Sequence, residues 1–254
     1  MLHNIGKSLC WALDAVAFAE DRLHFVPDPW QQQFLTSRAQ AVMLNCCRQS
    51  GKSTTTAIVA LHTAIYDPGL VLCVSPSLRQ SRELFAKVIA FLKALEPVEP
   101  LEEDNKSSCE LRNGSRIVSL PGDPDTVRGY SAPKLVITDE AAYVSDAMQA
   151  AIAPMLAVSQ GRQIDMSSPN GKRGYYYENW MHGEGIERIK IVGRECARIS
   201  AEFLEQQRKK LGPALFAQEF EGEFTDADTS AFSSELIALA LVDDFEPFPP
   251  RLAA

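Results

Sequence analysis

The chain has 254 residues, 46% hydrophobic and 23% charged, with a formal net charge of −8. Such a length supports one large α/β domain, or a core domain with a small appended subdomain, and disfavours two independent ones, and the composition argues against extensive disorder. The acidic balance excludes a global positive field, so contact with nucleic acid would have to use a local basic patch.

In chain order, Leu2, Ile5, Leu9, Leu13 and Val16 recur at spacings of three and four, which predicts an amphipathic helix over 2–20 packed on the core. Pro27 and Pro29 break the chain before a second helix near Trp30-Gln31-Gln32-Gln33. Ala41 to Cys46 reads as a short apolar strand, 47–52 as a loop and Ser53 to Tyr66 as a helix. Leu70 to Ser75 is the next strand, followed by a helix from about Leu78 to Leu95 and a Pro- and Glu-rich connection from Glu96 to Asp104. Asn113-Gly114 between Cys109 to Arg112 and Ser115 to Leu120 signals a hairpin, because the tight turn there needs positive φ. Further strands are predicted at Lys134 to Thr138, Gln163 to Met166 and Ile186 to Val192. A charged helix at about Ala201 to Leu211 and a short one running into Phe220 follow; beyond Phe224 the core pattern is lost, and Phe245 to Pro250 is proline-rich.

The six cysteines form no Cys-x-x-Cys pair and the four histidines are scattered, so reduced thiols are expected and a structural zinc site is not. No apolar stretch reaches about 18 residues, so no membrane contact is expected and the cytoplasm is the expected compartment.

Polar residues gather where predicted strands end, the place where open α/β sheets hold ligands. Cys47-Arg48-Gln49-Ser50-Gly51-Lys52-Ser53-Thr54 joins a strand to an alanine-rich helix and reads as a phosphate loop. Backbone N–H groups and the positive helix end converge on phosphate oxygens there, Lys52 adds a point charge, and Ser53 is a magnesium ligand. The usual pattern is G-x-x-x-x-G-K-S/T, and Cys46 stands where the first glycine is expected. Leu135-Val136-Ile137-Thr138-Asp139-Glu140 supplies the acids: Asp139 to orient the magnesium shell and Glu140 to polarise an attacking water. The alternative is an Asp-Glu pair capping a helix. Arg48 and Arg128, the latter in a loop permitted by Gly129, are the candidate cations for a γ-phosphate, although spacing alone also fits Arg128 to a surface salt bridge. Gln31, some 20 residues before the loop, could hydrogen-bond an adenine edge, but its position alone favours a glutamine on a solvated helix face. Ser167-Ser168-Pro169-Asn170-Gly171 either senses a γ-phosphate or forms an ordinary proline turn. Lys172-Arg173 and Arg208-Lys209-Lys210 are local basic clusters, read first as solvated surface charge.

From about Val26 to Phe224 these elements resemble the ATPase domain of the large terminase subunit, the DNA-packaging motor of tailed bacteriophages and prophages. The resemblance rests on Pro29-Trp30-Gln31 as the adenine motif, Arg48 to Ser53 as an altered Walker A, Val127-Arg128-Gly129 before Ile137-Thr138-Asp139-Glu140-Ala141-Ala142, Ser167 to Gly171 as the coupling motif, and Gln218-Glu219-Phe220 through Phe224 as the end of a lid. That family commonly lacks the first Walker glycine, so Cys46 fits it. It implies a P-loop NTPase of the additional-strand catalytic-glutamate type, with a largely parallel sheet flanked by helices. The implied divisions are an N-terminal helix region at 1–25, a core at 26–192, a lid at 193–225 and a tail at 226–254. ATP is the implied substrate, with Mg2+. Gln31 would contact adenine; Arg48, Gln49, Ser50, Gly51, Lys52, Ser53 and Thr54 would hold the nucleotide; Ser53 and Asp139 would hold the metal. Glu140 would be the base, Lys52 a catalytic cation, Arg128 a finger inserted into a neighbouring subunit, and Ser167, Ser168 and Asn170 the coupling residues.

The partners so implied are double-stranded DNA, a portal protein, a small terminase subunit and further copies of the chain in a ring, with a monomer in isolation, all in the bacterial host cytoplasm. Large terminases continue into a nuclease domain whose opening strand carries a metal-binding aspartate. Asp243-Asp244 lacks that apolar strand context, so nuclease activity is not expected of this chain. Two other readings compete: a helicase-like P-loop ATPase acting on nucleic acid, and a nucleotide-gated portal-docking module without useful turnover.

Overall fold

The runs Val71-Leu72-Cys73-Val74 and Leu135-Val136-Ile137 carry no polar side, which suits strands buried on both faces. In the computed structural model, which describes residues 2–95 and 101–225, they lie inside one eight-stranded sheet. Its strands are β1 (Ala41–Cys46), β2 (Leu70–Ser75), β3 (Leu101–Asp104), β4 (Ser108–Leu111), β5 (Arg116–Pro121), β6 (Leu135–Asp139), β7 (Arg162–Ser167) and β8 (Ile186–Ile191), in the order β3-β4-β5-β2-β6-β7-β1-β8. From β5 to β8 in that order all neighbours run parallel, and β3 and β4 add an antiparallel edge. β7 therefore separates the phosphate-loop strand β1 from the acidic strand β6, pairing Asn45 with Ser167 on one side and Asp139 with Met166 on the other. This is the expected largely parallel sheet with an additional strand beside the loop.

The helices are α1 (Leu2–Leu13), α2 (Ala15–Leu23), α3 (Pro29–Thr36), α4 (Lys52–Tyr66), α5 (Leu78–Ala94), α6 (Pro124–Arg128), α7 (Asp146–Ser159), α8 (Gly174–His182), α9 (Ala201–Leu211) and α10 (Pro213–Glu221). Period-two alternation sends Val71, Cys73, Leu135 and Ile137 into one cluster with Phe18, Phe34, Ile58, Leu61 and Leu92 from α2 to α5. Leu72, Val74 and Val136 enter a second cluster with Val127 of α6 and Met148 and Ile152 of α7. Tyr176 of α8 extends that second face over Met43 and Ala141. Each fully buried large side chain contributes about 1.5–3 kcal/mol, so two covered faces are what hold the strand ends in place.

Three expectations are corrected. The helix over 2–20 is two helices, because Asp14 adopts extended dihedrals and its carboxylate accepts from Val16 N at 2.8 Å and Ala17 N at 3.3 Å, capping α2. Leu9 and Leu13 are exposed, and the core takes Ala15, Phe18, Ala19 and Leu23 from α2 instead. Arg128 ends α6 and does not stand in an open loop, since Asp123 caps that helix and Pro124 occupies its first position. Part of the connection placed at Glu96 to Asp104 is strand β3; its residues 96–100, and the tail 226–254 with Phe245 to Pro250, lie outside the described residues. No described helix is long and apolar enough to cross a membrane.

After β8 the chain forms a 3-10 turn (Gly193–Glu195), then α9 and α10, which pack through Phe203, Phe216 and Phe220. This pair is tied back to the sheet. Asn45 Nδ2, buried at the end of β1, donates to Gly222 O at 2.8 Å, and Arg48 forms an ion pair with Glu219. Phe224 then sits against Tyr176, Tyr177 and Trp180 of α8.

Candidate active site

The loop after β1 must turn the chain into α4 within five residues, and it does so with left-handed backbone at Gln49 (φ 64°) and Gly51 (φ 93°). Such alternation turns successive N–H groups inward, which makes an anion-binding concavity, and the first-turn N–H groups of α4 have no carbonyl four residues earlier to pair with. Gly51 is required twice over: by its φ, and because a β-carbon there would come within 3.0 Å of both Gln31 Nε2 and Arg198 Nη2. Cys46 needs no glycine's freedom, since it is still a strand residue in register with Ile191 and fully buried; burial pushes its thiol up to about 12. All six cysteines are free thiols, with Cys47 Sγ 3.6 Å from Cys196 Sγ.

Two motifs far apart in sequence meet at this loop. Lys52 Nζ lies 2.7 Å from Glu140 Oε1, and Ser53 Oγ 3.4 Å from Asp139 Oδ2. Burial alone would depress the Lys52 ammonium, but Glu140 and Asp139 outweigh it and its pKa is raised. Asp139 is raised by its own burial, against the pull of Lys52. Glu140 has left-handed φ (54°), which costs about 1–3 kcal/mol and is the kind of local strain found at reactive positions. Ser167 Oγ contacts Glu140 Oε2 at 3.4 Å, and Asn170 Nδ2 donates to Ala142 O at 3.3 Å, so the end of β7 supports the acidic turn after β6. Ser167 and Ser168 are buried.

A cleft of about 710 Å³ opens over these groups, lined by Cys47 to Thr54 and by Gln80, Lys87, Glu140, Tyr143 and Arg198. Arg48, Gln49, Ser50, Gly51, Lys52, Ser53, Thr54 and Glu140 are thus brought together. Asp139 lies just beneath them, 8% exposed. Gln31 does not sit on an open helix face: it is 1% exposed behind Gly51, with Oε1 accepting from Asp28 N at 2.8 Å. Arg128 is outside the cleft of its own chain, half exposed and 2.8 Å from Asp125. Arg208 pairs with Glu221 at 2.9 Å and Lys209 with Glu205 at 3.4 Å, while Arg173 is exposed. Gln80 and Lys87, both on α5, and Arg198, in the segment between β8 and α9, went unread in the sequence, because they reach the cleft from outside its motifs and no local pattern marks them.

Among the described residues no cluster of three His, Cys, Asp or Glu could cage a metal. Ser53 and Asp139 nevertheless fit magnesium, which keeps several waters and takes one or two protein oxygens beside substrate phosphates. The arrangement can therefore hold a phosphorylated ligand against a helix N-terminus, with a carboxylate poised beside its terminal phosphate.

Comparison with known proteins follows the same lines. Residues 43–239 match the family described as terminase large subunit, T4likevirus-type, N-terminal. The large terminase subunit of Thermus phage G20c is 26% identical over 245 residues, covering 81% of this chain and 50% of that protein, so the chain spans about half the length of the curated relatives it matches. In fold it is similar to the large terminase ATPase domain of Thermus phage P74-26, with TM-score 0.72 and 21% identity over 81% of this chain and 97% of the other. It is also similar to the large terminase of a thermophilic bacteriophage in complex with ADP, with TM-score 0.63 and 9% identity over 78% of this chain and 54% of the other.

Proposed function

The chain belongs to the terminase large subunit family of T4likevirus type, and from that membership we propose that it hydrolyses ATP to drive translocation of double-stranded viral DNA into a procapsid. The observation that carries this reading is the meeting of Lys52 with Glu140 at 2.7 Å beside Ser53 and Asp139, which joins a phosphate loop to a base at one cleft. The ADP held by the thermophilic bacteriophage protein of like fold supports a nucleotide as ligand.

The residues divide the work as follows. The loop N–H groups and Lys52 bind the phosphates, and Ser53 and Asp139 would hold magnesium, which would neutralise phosphate charge there. Before substrate arrives, Lys52 neutralises Glu140. A γ-phosphate draws the ammonium to itself, which frees the Glu140 carboxylate to take a proton from the attacking water. Gln31 sets the base side of the loop from behind Gly51. Ser167, Ser168 and Asn170 transmit the state of Glu140 to the segment after β7. Residues 26–192 form the ATPase core and 193–225 a lid. Arg128, which does not line its own cleft, serves a neighbouring copy in a ring. The ring engages DNA, a portal protein and a small terminase subunit in the host cytoplasm.

The test measures nucleotide binding and hydrolysis with and without duplex DNA and portal protein. Lys52→Ala should lose both activities. Glu140→Gln should keep ATP and lose turnover by about 100-fold or more. Normal hydrolysis by Glu140→Gln would overturn the base assignment, and binding without any turnover in the wild type would favour a docking module.

A further inference from the structure

Arg198 belongs to no motif in the sequence, yet it reaches the phosphate loop from the segment between β8 and α9. Its Nη2 donates to Ser50 O at 2.6 Å and lies 2.8 Å from Asp28 Oδ2, at the start of α3. One nitrogen thus ties together the loop, the helix that carries Gln31, and the entry to the C-terminal helices. A β-carbon at Gly51 would stand 3.0 Å from that nitrogen and 3.6 Å from the guanidinium carbon, so the loop backbone runs directly against the guanidinium. Gln31 is 1% exposed behind this contact, whereas the Arg198 side chain is 47% exposed and forms part of the cleft wall.

The strand order fixes which end of a nucleotide would meet it. Glu140 follows β6, the loop follows β1, and Arg198 follows β8, in the spatial order β6-β7-β1-β8. A triphosphate whose terminal phosphate lies at Lys52 and Glu140 therefore extends its nucleoside across the loop toward β8. Nε and Nη1 of Arg198 make no hydrogen bond to a described residue. A planar guanidinium anchored by one nitrogen can stack on a purine face and offer its remaining donors to ring nitrogens or ribose hydroxyls.

We propose that Arg198 recognises the nucleoside half of the substrate, a purine nucleoside triphosphate, and that it does so from the segment that leads into the C-terminal helices, so that occupancy of the base side is felt there. The proposal rests on the reading of the cleft as a nucleotide site. Its test separates the two by comparing MgATP with magnesium tripolyphosphate, which carries the phosphates without a nucleoside, in calorimetric titrations of the wild type, Arg198→Ala, Arg198→Lys and Lys52→Ala.

Arg198→Ala removes the tie to Ser50 O together with the free donors, so it should weaken both ligands but ATP about tenfold more than tripolyphosphate, and Lys52→Ala should weaken the two alike. Arg198→Lys keeps the charge and loses the planar fork; it should show the same selective loss at about threefold, and it carries the comparison if the alanine variant does not fold. Equal weakening of the two ligands by both Arg198 variants would overturn the proposal, since Arg198 would then act only through the loop. Unchanged ATP affinity would overturn it as well. A wild type that binds neither ligand would instead sink the nucleotide reading of the cleft.

Discussion

Lys52 and Glu140 neutralise each other at 2.7 Å, so each must be released before it can act on a phosphate or a water. Removing the carboxylate charge should therefore do more than stop turnover: Glu140→Gln frees the ammonium and should tighten ATP about threefold or more, as read by titration with a slowly hydrolysed analogue. A second carboxylate lies deeper. Asp165 on β7 is opposite Thr138 on β6; it accepts from Gln163 Nε2 at 2.9 Å on one oxygen, while its other oxygen and the buried Thr138 and Tyr175 hydroxyls lack well-formed hydrogen bonds. Burial raises its pKa from 3.8 to about 6, against weaker help from Gln163 and Thr138. The fold thus prefers the protonated form; the stabilisation is complete below about pH 4 and is lost as pH rises through about 6. Asp165→Asn should raise the unfolding free energy at pH 8 by about 2–3 kcal/mol and change it little at pH 4, as measured by urea denaturation.

Among the elements, the bond from Asn45 to Gly222 is the buried link between the sheet and α10. Asn45→Ala strands the Gly222 carbonyl and should cost about 1–3 kcal/mol, with faster hydrogen exchange in α9 and α10 than in β2 or β6. β1, β2 and β6 were legible in the sequence as short apolar runs ended by turn or acidic residues, and β7 and β8 as runs in which apolar residues such as Ile164 and Met166, or Ile189 and Ile191, are spaced by polar ones. The phosphate loop and Asp139-Glu140 were legible for the same reason, since both are punctuation at strand ends. α7 was not: it is apolar nearly all round and holds Pro154, so neither a face nor an uninterrupted period marks it. Three consecutive tyrosines hid α8, where only Tyr176 is buried. The N-terminal period looked continuous because a capping aspartate at Asp14 falls on the polar side of a helix as readily as at its end. Arg198, Lys87 and Gln80 become neighbours of the loop only when the sheet is assembled.

At the scale of the whole molecule, the half-exposed Arg128, paired among the described residues with Asp125, is the part of the proposed machinery that its own cleft does not use. Mixed under conditions that assemble a ring, Arg128→Ala and Glu140→Gln copies should hydrolyse ATP faster than either does alone, because a copy with an intact base then receives Arg128 from its neighbour. A mixture no faster than its parts would count against action in trans. The anchoring of the C-terminal helices has a mechanical consequence. They leave the sheet at β8 and return to it through Gly222 on Asn45 and Phe224 on α8. Between these points α10 is held by its own Glu219, whose carbonyl accepts from Arg48 N at 3.2 Å and whose carboxylate pairs with the Arg48 side chain. Fastened at its ends and in its middle, the helix pair is a brace against the phosphate loop, and a displacement of that loop is carried into α10 without slack.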